Sequence, residues 1–181
     1  FGFLLTFFSS FGQTFLLSLY VPSIESLLGI SNTAFGSLYA AATLSSAFTL
    51  PWLGGRFDRM DIRGYTFMVV IGLTTALLLL SFATHVLMVV LAFYGLRLFG
   101  QGLMSHTSVS AMARYFEANR SKAIGMATLG HPLGEATLPL LITLLIGAVG
   151  WRMTLQVSAL SVLALVLPLS LLLLRSAKGR L

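Results

Sequence analysis

Six apolar stretches fill this chain almost end to end, at residues 1–20, 32–53, 65–84, 86–113, 122–146 and 151–174. Each reaches the roughly 20 residues that a helix rising about 1.5 Å per residue needs to cross a bilayer. A barrel of strands would need alternating segments of roughly ten residues. Runs such as Ala76-Leu77-Leu78-Leu79-Leu80 do not alternate, so the predicted fold class is an all-α membrane protein with six transmembrane helices. The 181 residues leave almost nothing over for a domain outside the membrane. Only 9% of residues are charged, against about a quarter in soluble domains. Pro22 is expected to close the first helix, and Ser31 or Asn32 to cap the second.

The eleven Lys and Arg residues order the links between helices. Arg56, Arg59 and Arg63 follow the second helix, Arg114, Arg120 and Lys122 follow the fourth, and Arg175, Lys178 and Arg180 follow the sixth. If six helices alternate, all of these lie on one side. Only Arg152 falls on the other side, with Glu25 and His85, while Arg97 lies inside the fourth helix. Basic links mark the cytoplasmic side, so both termini are predicted to face the cytoplasm of an inner or plasma membrane. The formal charge of +6 is thus spread over topology links and predicts no nucleic-acid partner. No basic n-region or small-residue cleavage site makes residues 1–20 a signal peptide. A chain that opens on Phe1 reads as a piece of a longer protein or a trimmed product. Cysteine is absent, which excludes thiol catalysis and disulfides. No G-x-S-x-G or H-E-x-x-H motif occurs, so an intramembrane hydrolase is not expected, nor are a metal or a cofactor.

Polar residues collect on four of the six helices. The first carries Ser9, Ser10, Gln13 and Thr14; the second Ser37, Tyr39, Thr43, Ser45 and Ser46; the fourth Arg97, Gln101, His106 and Ser108; the fifth Thr128, His131, Glu135 and Thr137. The third and sixth are nearly all aliphatic and are expected on the outside, against lipid. Polar groups inside a bilayer need partners or water, so the four polar helices are expected to border a wet cavity. Interhelical hydrogen bonding without a cavity is the alternative.

Arg97 stands about eleven residues into its helix, at a depth where a cation costs on the order of 2.5–3.5 kcal/mol. Gln101, one turn on, shares its face. Glu135 is the only acid within any stretch, and His131 sits one turn before it. Arg97, His131 and Glu135 form a candidate charge cluster for coupling: a carboxyl beside an arginine is held ionised and rises in pKa when that contact is lost. A static buried ion pair is the other reading. Gly130, Pro132 and Gly134 interrupt the fifth helix as a candidate gate, since proline removes a backbone bond and paired glycines allow close contact. Gly54 to Gly64 is the densest charged run, with Asp58 and Asp61 among three arginines.

At that run the sequence resembles the major facilitator superfamily. Its loop signature, Gly-x-x-x-Asp-Arg-x-Gly-Arg-Lys/Arg, is met by Gly54, Asp58, Arg59 and Arg63, with Asp61 and Ile62 in place of the usual second glycine and middle arginine. Arg97-Leu98-Phe99-Gly100-Gln101-Gly102 is similar to the fourth-helix signature, Gly125 to Gly134 to that of the fifth helix, and Gly150-Trp151-Arg152 is common before the sixth. The resemblance implies the N-terminal half of a twelve-helix transporter, built as two inverted three-helix repeats, with a C-terminal six-helix half as partner and a small-molecule solute bound between halves. It implies Gln13, Tyr39, Arg97 and Gln101 at the cavity and Asp58 and Arg59 as a conformational gate. Tyr115-Phe116 through Gly125 is similar to monocarboxylate and oxalate carriers, which implies a small organic anion carried by alternating access, with Glu135 as the candidate for proton coupling. An efflux carrier for drugs or other polar solutes, and a non-transporting six-helix scaffold, are the alternatives.

Overall fold

The computed structural model describes residues 1–178; Arg180 lies outside them. The described residues form helices and no strand. We number them α1 (Gly2–Gly12), α2 (Thr14–Leu28), α3 (Asn32–Gly54), α4 (Ile62–Ser81), α5 (Val86–Tyr115), α6 (Arg120–Val149) and α7 (Trp151–Leu174). By length and hydropathy α4, α5, α6 and α7 can each cross a membrane, and α1 with α2 makes a fifth span bent by 43°. The expected second span, α3, has the length, but its serines, threonines, glycines and tyrosine keep it below the same hydropathy.

Local chemistry sets most boundaries. Ser31 caps α3 by accepting from the Ala34 N–H at 3.3 Å, and Asp61 caps α4 by accepting from the Arg63 N–H at 3.2 Å. Each satisfies an amide that the first helical turn leaves without a partner. The first helix does not end near Tyr20 as expected. Pro22 sits in the first turn of a renewed helical segment, where its missing N–H costs nothing, and the chain runs on to Gly29, whose φ of 62° ends it. The real interruption is Gln13, extended at φ −85° and ψ 148°. In α6 the interruption falls at Leu129, next to Thr128, whose carbonyl Pro132 leaves without its usual donor.

The helices carrying polar groups pack as a row, α6 against α1, α1 against α5, and α5 against α3. α4 packs on α5 and on α7, and α7 closes back onto α6. The expectation that the third helix faces lipid is corrected here: 56% of α4 is buried, the highest of the spans, against 17% for α6. Lipid tails and neighbouring leucines are equally apolar, so hydropathy alone does not separate the two surroundings. Tyr65, Leu73, Leu77 and Leu80 of α4 are fully buried.

The tightest crossing joins α1 to α5. A methyl group on Gly12 would overlap the Leu96 carbonyl and come within 2.8 Å of Gly100 Cα, so only glycine lets these backbones touch. At this crossing α5 widens to a π-helix over Leu96–Met104. Gly12→Ala is expected to destabilise the protein by about 1–3 kcal/mol through overpacking. Gly36→Ala, with nothing within 4 Å, is expected to leave the thermal unfolding midpoint in detergent unchanged or raised.

Candidate solute-binding site

The break in α1 creates the site. With Gln13 extended, the Gly12 carbonyl has no helical donor, and the Arg97 guanidinium reaches across from the π segment of α5 to donate to it at 3.2 Å. The same nitrogen donates to Thr14 Oγ1 at 3.2 Å. Thr14 Oγ1 also meets the Tyr39 hydroxyl at 2.9 Å, and Arg97 lies 5.7 Å above the Tyr39 ring. One guanidinium thus ties α1, α2, α3 and α5 together at the break. Its charge meets a carbonyl, a hydroxyl and a π face, all partial negative charges. Among the described residues no carboxylate comes within 4.0 Å of it.

Beside Arg97 lies a cavity of about 260 Å³ between α3 and α5. Thr43, Ser46, Gln101 and Gly102 line it with Ala47, Leu50 and Leu98. Arg97 Nε and Gln101 Oε1 are buried without a hydrogen-bond partner. Such groups are costly to leave unpaired, and both belong to residues on the cavity wall. Many other polar residues of α3 need no water: Ser37, Ser45 and Thr49 donate to the Thr33, Ala41 and Ser45 carbonyls of their own helix. Polarity by itself therefore overstated how much of α3 borders a cavity.

The predicted residues divide into separate places. Tyr39, Arg97 and Gln101 gather here, with the Gln13 backbone at the hinge of α1 and α2. Arg97 and Glu135 are not brought together as a pair. Helix α1 runs between their helices: α5 meets it at Gly12, and α6 meets its other side, where Gly130 presses on Thr6 and Gly134 on Ser10. His131 Nδ1 lies 3.3 Å from Ser9 Oγ, while Glu135 and Pro132 are exposed. At the charged link Asp58 and Arg59 are exposed and no ion pair forms among the described residues. Asp61 is the helix cap, and Arg63 donates to the Leu174 carbonyl at 3.4 Å. Gly54 is buried under the His106 imidazole, whose Cε1 a Cβ would meet at 3.7 Å.

Sequence reasoning missed Gly12 and Thr14 as partners of Arg97, and it counted Thr43 and Ser46 among the polar residues of a cavity-bordering helix without singling them out.

Residues 2–180 match the family described as Major Facilitator Superfamily. No curated protein and no solved structure matches the chain. Because Thr14 and Tyr39 share one hydroxyl contact, Thr14→Val and Tyr39→Phe are expected to be non-additive. A double-mutant cycle of unfolding free energies should return a coupling of about 1 kcal/mol.

Proposed function

The chain belongs to the Major Facilitator Superfamily, and from that premise we propose that it is the solute-binding half of a secondary transporter for a small organic anion, of the monocarboxylate class, working by alternating access. Membrane transport is the activity of the family; the solute is inferred from the site. The observation that carries it is Arg97, half-buried in mid-helix, uncompensated by any carboxylate within 4.0 Å among the described residues, on the wall of a cavity of about 260 Å³. A fixed cation in a low-dielectric site favours an anion of matching charge and disfavours a cation. The hydroxyls of Thr43 and Ser46 and the amide of Gln101 on the cavity wall offer hydrogen-bonding groups beside that cation.

Alternating access needs elements that bend and a second surface to close against. The break at Gln13 and the interruption at Leu129 flank the α1–α6 contact. The exposed apolar side chains of Leu44, Phe48 and Trp52 on α3 and Leu140, Leu141 and Leu144 on α6 offer that surface to a second six-helix half. Asp58 and Arg59, exposed on the link before α4, act as the conformational gate against that half. The basic links support a cytoplasmic side for them and for both termini.

Proton coupling is assigned to Glu135 with His131, and not to a pair with Arg97. Glu135 is an exposed carboxyl on α6, one helical turn from His131 and apart from the Arg97 contacts. In proteoliposomes the full-length protein is expected to take up a labelled monocarboxylate faster with an inward proton gradient. Arg97→Met should abolish that uptake, whereas Glu135→Gln should remove only its pH dependence. Flux that persists in Arg97→Met would overturn the solute assignment; pH dependence that persists in Glu135→Gln would overturn the coupling assignment. Asp58→Asn should slow turnover while leaving solute affinity as it is.

A further inference from the structure

We propose that Arg63 and Arg152 are clasps that fasten α4 and α7 to each other near both ends. The two arginines occupy equivalent places. Arg63 is the second residue of α4 and Arg152 the second residue of α7, and the helices run antiparallel. Arg152 therefore lies at the C-terminal end of α4, and Arg63 lies beside Leu174, one turn before the helix that α7 belongs to ends at Lys178.

At one end Arg152 donates from Nη1 to the Ser81 carbonyl at 3.2 Å and from Nη2 to the Ala83 carbonyl at 2.8 Å. Ser81 ends α4, and terminal helix carbonyls have no intrahelical donor and carry partial negative charge. The guanidinium is itself held 4.9 Å over the ring of its neighbour Trp151. Gly150, at φ 81°, makes the turn that starts α7 at this point. At the other end Arg63 donates from Nη2 to the Leu174 carbonyl at 3.4 Å. A planar fork that never loses its charge can hold two carbonyls at once; an ammonium cannot match that geometry.

The clasps matter because of what lies between them. The buried residues of these two packed helices are mostly apolar, with Val69 and Leu77 on α4 and Leu155, Ala159 and Val162 on α7. In lipid, apolar contact gives little drive for one helix to prefer another over the surrounding tails. Directional bonds at the ends fix both register and partner. α4 is uninterrupted over Ile62–Ser81, whereas α7 carries a π segment over Val162–Val166, as α5 does over Leu96–Met104. The Arg152 end, with two bonds and a stacked ring, is the firmer one; the Arg63 end, with one longer bond, is the looser.

The chain has no cysteine, so introduced pairs can be spin-labelled within it. Phe82 with Met153 reports the Arg152 end, and Phe67 with Leu172 the Arg63 end; all four are exposed. In the full-length protein in bilayers, each pair is expected to give one narrow distance. Arg152→Ala should raise the splayed population at the 82–153 pair by about tenfold or more, the factor that loss of charge-assisted bonds implies, and leave the 67–172 pair as it was. Arg63→Ala should do the reverse, and Arg152→Lys should splay the 82–153 pair less than alanine does. If Arg152→Ala does not fold, the parent and Arg152→Lys decide. An 82–153 distance already broad in the parent, unchanged in the variants, or widening together with 67–172 overturns the clasps. None of these readings depends on the solute, so they fail or stand apart from the transport assignment.

Discussion

The contact between the Arg97 guanidinium and the Gly12 carbonyl organises the middle of this bundle. Breaking a helix inside a membrane strands a carbonyl where no water is at hand, and burying a cation there is equally unfavourable. Each defect supplies what the other lacks. The bond at 3.2 Å lets α1 end at Gly12 and α2 begin at Thr14 without an orphaned acceptor, and it fixes the cation at a defined depth. The glycine pair at the crossing, Gly12 on Gly100, brings the two backbones close enough for this to happen. The π segment of α5 is where the ladder of that helix yields to the same crossing.

Function follows from what the bond leaves undone. Carbonyl, hydroxyl and aromatic face lower the cost of the cation without cancelling its charge, so the cavity between α3 and α5 keeps a positive wall. A carboxylate partner would have made Arg97 a purely structural ion pair. Placing Glu135 on α6, with α1 in between, keeps the acid apart from the solute site. On the proposed reading, solute binding and proton handling fall on different helices that share α1 as their common neighbour.

Much of this was legible in the sequence, and the limits have physical causes. The all-helical membrane fold, the cap at Ser31 and the superfamily motifs follow from hydropathy, side-chain chemistry and spacing, which are local properties. The partner of Arg97 was not legible, because Arg97 and Glu135 at similar depth on consecutive helices suggest a pair only if those helices touch there. The intervening position of α1 is a tertiary fact. Aliphatic α4 read as lipid-facing because tails and leucines present the same chemistry. Pro22 read as a terminator because its place in the first turn of a new segment depends on the 3₁₀ turn before it. Asp61, a departure from the loop signature, turns out to serve the nearest helix end.

Crystals of the full-length protein grown with a brominated monocarboxylate, such as 2-bromopropionate, would locate the solute directly through anomalous scattering. The account predicts a bromine peak within the cavity bounded by Thr43, Ser46, Arg97 and Gln101, with the carboxylate on the guanidinium and the Gly12 bond retained. A peak confined to other surfaces, with Arg97 instead paired to a protein carboxylate, would contradict it.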